Sequence, residues 1–339
     1  MYKIHCLNNI SAKGTDLLTD AYELTDNFDE ATGILVRSAA MHDMTFPASL
    51  LAIGRAGAGV NNIPLDRCAD EGIVVFNSPG ANANAVKELV LCGMLLACRD
   101  IVGGIGWCRD NADDENIGKS AEKAKKAFAG TEILGKKLGV IGLGAIGRLV
   151  AEAGVALGMD VYGYDPFATA QEPVKNIEDV NDIYKTCDFI TIHVPAMEST
   201  KGMIGAEACA QMNGAVVLNF SRDTLVNAEA MAAALEAGQV RRYVTDFATP
   251  AVMKMQNAIV LPHLGASTAE AEENCAIMAT NELMDFIERG VINKSVNFPA
   301  IDAGELAAGN ARIVVLHTAA AADAVAEMTE LLKQYNRAA

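Results

Sequence analysis

The residues Gly142-Leu143-Gly144-Ala145-Ile146-Gly147 are spaced as G-x-G-x-x-G. They follow an apolar run, Leu138–Ile141, and open a helix-like segment that ends near Gly158. In that setting each glycine has its own task. Gly142 permits a tight turn, Gly144 lets backbone approach a pyrophosphate, and Gly147 lets helix and strand pack closely. The helix start at Ala145 and Ile146 offers N–H groups and the positive end of its dipole to phosphate oxygens. Asp165 ends the next apolar run, 18 residues beyond Gly147. A carboxylate there accepts bonds from both ribose hydroxyls and repels a 2′-phosphate. Pro166 and Phe167 follow it, not an arginine. Loop, strand and spacing together imply a bound dinucleotide, NAD rather than NADP.

A redox step at an alcohol carbon needs a proton carrier beside the hydride carrier, and imidazole suits neutral pH. Of the five histidines, His5 sits in the first strand, His42 in a polar loop and His317 in the C-terminal segment. His193 ends a strand in H-V-P, so His193, Val194 and Pro195 are expected to line the cofactor groove. His263 follows the run Ile259–Pro262 and precedes Leu264-Gly265. That is a strand's carboxyl end, where α/β sheets bind ligands. Arg222, in Asn219-Phe220-Ser221-Arg222-Asp223, stands past another strand end. A guanidinium there can grip a carboxylate through two parallel bonds and polarise the adjacent carbonyl. A pair with Asp223 is disfavoured, because sequence neighbours face each other poorly. Arg37-Ser38 and Arg55-Ala56-Gly57-Ala58-Gly59 also end apolar runs, and Ala56 to Gly59 could present N–H groups to an anion as a nest. Asn82 and Asn84 precede a helical stretch from about Ala85, for which Asn84 reads as an N-cap.

These residues need elements to hold them. Apolar runs at Ile4–Leu7, Gly33–Val36, Leu51–Gly54 and Ile73–Phe76 alternate with helix-like segments, the pattern of a parallel α/β unit. A helix to Cys98 and a lysine-rich segment, Lys119–Lys126, follow. The second reads as a solvated helix supported by Glu122 and Lys126. The alternation restarts with candidate strands at Leu138–Ile141, Asp160–Tyr164, Phe189–His193, Ala215–Asn219, Arg242–Asp246 and Ile259–Pro262, six strands of one doubly wound, Rossmann-type sheet. A helix from about Thr268 to Arg289 opens with Ser267 as its expected cap. The rest of the chain is alanine-rich, with one strand-like run at Arg312–Leu316 and one helix.

The chain of 339 residues is long enough for two domains. Its net charge of −16 makes nucleic acid an unfavourable partner, and any anionic substrate must be held by local cations. The longest apolar stretch, Leu89–Cys98, is half the roughly 20 residues a membrane span needs, and no secretory pattern opens the sequence. Eight cysteines without a C-x-x-C pair read as buried thiols in a reducing cytoplasm, with no metal site.

Taken together, the chain resembles the D-2-hydroxyacid dehydrogenase family over about residues 1–300. The resemblance rests on R-A-G-A-G-V-N-N-I from Arg55, F-N-S-P-G-A-N-A-N-A-V-K-E-L from Phe76, the glycine loop, N-F-S-R from Asn219, Y-V-T-D-F from Tyr243 and P-H-L-G-A-S-T from Pro262. It implies an NAD-binding Rossmann domain (99–266) inserted in a flavodoxin-like α/β substrate domain (1–98 with a return helix in 267–300), a cleft between them, and a homodimer or tetramer. It implies that Arg222 binds the substrate carboxylate and that His263 is the acid/base. Asp246 would face the nicotinamide carboxamide, and Phe220, Ser221, Arg222, His263 and Gly265 would complete the cofactor site. Arg37, Ser38, Ala58, Gly59 and Asn82 would approach a phosphorylated hydroxy acid, with hydride passing from C2 of 3-phosphoglycerate to NAD⁺ in serine biosynthesis. Two other readings stay open: a reductase of glyoxylate or hydroxypyruvate, and a weakly active NAD(H)-binding regulatory protein.

Two departures stand out. The family pairs its histidine with a glutamate a few residues beyond the Asp246 position, but Phe247 to Pro262 contains no acidic residue and the match falls on Pro250 or Ala251. A carboxylate partner stabilises imidazolium. Without it the acid limb of activity is expected at lower pH, unless another group such as Gln256 orients the ring. The tail (301–339) resembles the start of an ACT regulatory module, yet a complete module does not fit there, so no serine-binding site is expected in it.

Overall fold

Short aliphatic runs become the strands of two sheets, all parallel. Parallel strands are covered on both faces, so their runs are apolar throughout rather than alternating. Gly33–Val36, Phe189–Ile192 and Ala215–Asn219 are buried at every position. The computed structural model describes residues 1–302, the single residues 304, 309 and 315, and 321–335. The chain divides into two compact units, Met1–Ser78 with Glu273–Ala339, and Pro79–Glu272.

The first unit holds β1 (Tyr2–Cys6), β2 (Tyr22–Leu24), β3 (Gly33–Val36), β4 (Ala52–Arg55) and β5 (Val74–Asn77), in the order β2-β1-β3-β4-β5. This is the flavodoxin-like order. The edge strand β2 was not expected, because only Tyr22 of its three residues is buried and no apolar run marks it.

The second unit holds β6 (Lys137–Ile141), β7 (Asp160–Tyr164), β8 (Lys175–Asn176), β9 (Phe189–Ile192), β10 (Ala215–Asn219), β11 (Val240–Thr245) and β12 (Ala258–Val260). Their order is β12-β11-β10-β9-β6-β7-β8. The chain winds outward in both directions from the β6–β9 pair, which makes the end of β6 a topological switch point of a Rossmann-type sheet. All six expected strands are present. The seventh, β8, has two exposed residues and no apolar signal.

Four expectations need correction. The first boundary lies after Ser78, not residue 98. The Ala83–Cys98 helix buries Val86, Val90 and Met94 in the same cluster as Leu138, Val150 and Phe189, so it packs with the second sheet. Asn82, not Asn84, occupies that helix's N-cap position, and Asn84 bonds to Glu88 on the helix surface. The helix Ala269–Arg289 is capped by Thr268, whose Oγ1 accepts from the Ala271 N–H, rather than by Ser267. Glu122 pairs with Lys125, not Lys126, because the helix Ile117–Ala124 tightens into a 3-10 turn over Lys125–Phe128 and its four-residue spacing is lost.

In the C-terminal segment a helix spans Ala322–Tyr335. The strand expected at Arg312–Leu316 lies, Val315 aside, outside the described residues. No single helix among the described residues is long and apolar enough to cross a membrane. All eight cysteines are free thiols, but only five are buried: Cys92 and Cys108 are exposed and Cys6 is half-buried, which corrects the expectation of buried thiols throughout.

The close fit of helices on the second sheet rests on small residues. A Cβ at Gly139, in the middle of β6, would lie 2.3 Å from Ile183 Cγ2 and 3.0 Å from Cys187 Sγ. The Val180–Thr186 helix therefore seats on bare backbone there. Gly139→Ala is expected to destabilise the protein by about 1–3 kcal/mol through overpacking. Urea unfolding would show it as a lowered midpoint with an unchanged slope.

Candidate active site

The glycine loop begins at the end of β6. Gly142 has φ +94°, and a Cβ there would strike the His193 carbonyl oxygen at 2.5 Å and Val194 Cγ1 at 2.9 Å. A Cβ at Gly147 would lie 1.8 Å from the Gly142 oxygen. Only glycine is tolerated at either position, the first for turn and space, the second for helix–strand packing. At Gly144 a Cβ would meet nothing within 4 Å, so that face of the loop is open. Gly144 caps the helix Ala145–Ala156 with no side-chain bond. The first-turn N–H groups of Ala145, Ile146 and Gly147 lack intrahelical partners by geometry and are available to an anion.

Asp165 follows β7 and reaches back to the loop. Its Oδ2 accepts the Leu143 N–H at 2.7 Å, and its Oδ1 accepts from Phe167 and Ala168. It lines a cavity of about 690 Å³ with Leu143, Gly144, Arg148, Phe167 and Val174. Arg148, next to Gly147, was not expected in this site, and Phe167, noted in the sequence only as a non-arginine after Asp165, lines it with a ring that is 92 % exposed.

His193 lies just past β9. Its Nε2 sits 2.9 Å from Thr191 Oγ1, while Nδ1 is buried without a partner among the described residues. Burial pushes the ring down to about 3, so it is neutral at physiological pH. That suits a wall of the groove, with Val194 against the loop and Pro195 exposed, and not a proton carrier.

Three residues come from three adjacent strand ends. Arg222 follows β10, Asp246 follows β11 and His263 follows β12. Asn219, fully buried, donates from Nδ2 to the Arg222 carbonyl at 2.8 Å and accepts from the Ser221 N–H. Ser221 Oγ donates to the Ile192 carbonyl, tying the ends of β10 and β9. The Arg222 guanidinium donates to the Ser221 carbonyl at 2.6 Å. Asp223 turns to the Thr224 N–H, which leaves no pair between Arg222 and Asp223. Phe220 is a core side chain, 6 % exposed and beside Gly93 and Val244, so only its backbone is open to a ligand.

Asp246 is 2 % exposed. Its Oδ2 accepts the Gly265 N–H at 3.1 Å, and its Oδ1 is buried with no partner among the described residues. Burial pushes its carboxyl up, against the pull of the Gly265 N–H and of positive charge at His263 and Arg222. His263 is exposed, with φ +30°, a conformation rare outside glycine. Its N–H donates to the Asp246 carbonyl at 2.9 Å, and its ring meets the edge of Phe247 at 5.0 Å between centroids. No ion pair to His263 occurs among the described residues.

The remaining residues divide between the units. Asn82 is in the second unit, at a helix start without a side-chain cap bond. Arg37, Ser38, Ala58 and Gly59 are in the first. Asn8, missed in the sequence, organises the turn after β3. Its Oδ1 accepts N–H bonds from Arg37, Ser38 and Ala39 at 2.8–3.1 Å. The nest expected over Ala56 to Gly59 is half spent, since Ala56 donates to Val36 and Gly57 to Arg55. Gly57, at φ +142°, lets the Arg55 guanidinium fold across it. Asn77 Nδ2 holds the Ala58 carbonyl at 2.6 Å.

The open, uncapped loop, the carboxylate beside it and the orphaned Asp246 Oδ1, which can accept from a carboxamide, are what NAD requires. Comparison with known proteins agrees. Residues 92–265 match the family described as D-isomer specific 2-hydroxyacid dehydrogenase, NAD binding domain. The chain is 33 % identical to D-3-phosphoglycerate dehydrogenase of Methanocaldococcus jannaschii over 82 % of this chain and 54 % of that one. It is 32 % identical to hydroxypyruvate reductase of Thermotoga maritima over 86 % of this chain and 99 % of that one. It thus spans about half the length of the first relative and nearly all of the second. The crystal structure of NADPH-dependent glyoxylate/hydroxypyruvate reductase from Sinorhizobium meliloti has the same fold, with a TM-score of 0.74 at 19 % identity, covering 87 % of this chain and 98 % of that one. With loop, strand ends and relatives in agreement, the chain belongs to the D-isomer specific 2-hydroxyacid dehydrogenase family.

Proposed function

We propose that the protein is an NAD-dependent dehydrogenase that oxidises C2 of 3-phospho-D-glycerate to 3-phosphohydroxypyruvate. The observation that carries the reaction class is the row Arg222, Asp246 and His263 at the carboxyl ends of β10, β11 and β12. Bound NAD supplies the hydride acceptor. Arg222 swings from the Ser221 carbonyl to grip the substrate carboxylate and polarise C2. Neutral His263 takes the hydroxyl proton. Asp246 orients the carboxamide through Oδ1. The loop from Gly142 to Gly147 takes the pyrophosphate, and Asp165 takes the ribose. Its negative charge favours NAD over NADP, and with Glu152 and Glu172 it outnumbers Arg148, the one cation lining the same cavity among the described residues. Arg37, Ser38, Ala58, Gly59 and Asn82 serve the phosphate-bearing end.

The relative named D-3-phosphoglycerate dehydrogenase supports the substrate. A second reading, reduction of hydroxypyruvate or glyoxylate, is favoured by the match to nearly the whole length of the Thermotoga maritima protein. NADH oxidation followed by absorbance separates them. A kcat/KM for 3-phosphohydroxypyruvate at least about tenfold above that for hydroxypyruvate and glyoxylate is expected from a charge-assisted phosphate contact. The reverse preference transfers the assignment to the second reading, and no turnover of any of the three removes both.

Two substitutions test the site itself. Arg222→Gln is expected to lower kcat/KM by about 10²–10³ while NADH binding, read by fluorescence, stays within about twofold. Asp165→Ala is expected to cut the NAD-over-NADP preference in kcat/KM by about tenfold or more, by removing the ribose acceptor and its repulsion of a 2′-phosphate.

A further inference from the structure

The family's glutamate partner for the histidine is absent, and the space around His263 shows what stands in for it. The ring borders a hollow of about 540 Å³ lined by Asp223, Asp246, Phe247, Ala248, Thr249 and Pro262. Two acidic residues line it, Asp223 and Asp246, and Arg222 is the nearby cation acting on Asp246. They differ in setting. Asp223 is exposed and its Oδ1 is engaged by the next residue's N–H. Water and salt screen such a charge. Asp246 is buried, and it is tied to the histidine loop twice, by its carbonyl to the His263 N–H and by Oδ2 to the Gly265 N–H. A charge in low dielectric acts more strongly over the same distance. Phe247 meets the His263 ring in a T-shaped arrangement and brings no charge.

We infer that Asp246 is the positioning residue that stabilises the protonated imidazole of His263, the task the missing glutamate performs in relatives, while Phe247 fixes the plane of the ring. The inference rests on the dehydrogenase reading for its meaning but not for its test. Burial and the opposing pull of His263 on the Asp246 carboxyl agree with it. The proton taken from the substrate hydroxyl then rests on His263 with its charge offset by Asp246, and returns to solvent through the exposed ring.

The test is the NMR titration of the His263 ring in the cofactor-free full chain, which needs no turnover. In Asp246→Asn the His263 midpoint is expected to fall by about one pH unit or more, whereas Asp223→Asn moves it by no more than about 0.3. Phe247→Leu is expected to leave the midpoint in place and to broaden or shift the ring signals. An unchanged midpoint in Asp246→Asn, or a larger shift in Asp223→Asn, overturns the inference. Should Asp246→Asn fail to fold, the carboxyl ¹³C signal of Asp246 in the unaltered protein decides. It carries a second step at the His263 midpoint if the two are coupled and none if they are not. A coupled titration in a protein that turns over none of the three keto acids would sustain the inference and refute the reaction.

Discussion

Backbone hydrogen bonding in a parallel sheet covered on both faces leaves polar side chains one place to go, the strand ends. Within β9 and β10 every residue is buried, and Thr191 and Asn219 are the polar exceptions, each turned to a neighbour at the carboxyl end. Everything chemical in the second unit follows from this constraint. The glycine loop begins one residue past β6, and His193, Arg222, Asp246 and His263 stand one to three residues past their strands. Because the strands are parallel, all those ends lie on one edge of the sheet.

The same edge gives Asp246 several contacts at once. A buried carboxylate is costly unless its oxygens are met. One is met by the Gly265 N–H; the other has no partner among the described residues. The cost is returned as rigidity, since the loop carrying His263 at a positive φ is held by the same residue. Under the proposed function, one side chain that receives the cofactor and biases the histidine would couple cofactor binding to proton transfer. A glutamate located several residues further along the chain would keep the two apart.

The first unit shows a different economy. Its strand ends carry Arg37 and Arg55, but much of the local polar capacity is used internally. Asn8 gathers three N–H groups after β3, and Arg55 folds over Gly57. The turn geometry is thus set before any ligand arrives, which lowers the entropy that ordering costs on binding. Ser78, buried, ties this edge to the return helix through its bonds to the Arg55 and Cys275 carbonyls, so the turn after β4 and the helix are braced together.

The sequence by itself determined whatever depends on local order. G-x-G-x-x-G after an apolar run, an aspartate at the next strand end, and Arg222 and His263 past two further runs are periodic or adjacent signals, and the structure places each at the element end they imply. Two strands escaped, β2 and β8, because a short edge strand with an exposed face has no hydrophobic pattern to read. The membership of the Ala83–Cys98 helix escaped as well. Its apolar face is plain in the sequence, but which sheet buries that face is a long-range fact. Only tertiary structure decided that Asp246, 17 residues before His263, is tied to the histidine loop by two hydrogen bonds, and that Phe247 lies against the ring. Those contacts arise where β11 and β12 run side by side, and adjacency of parallel strands is set by the packing of the whole sheet, not by the residues between them.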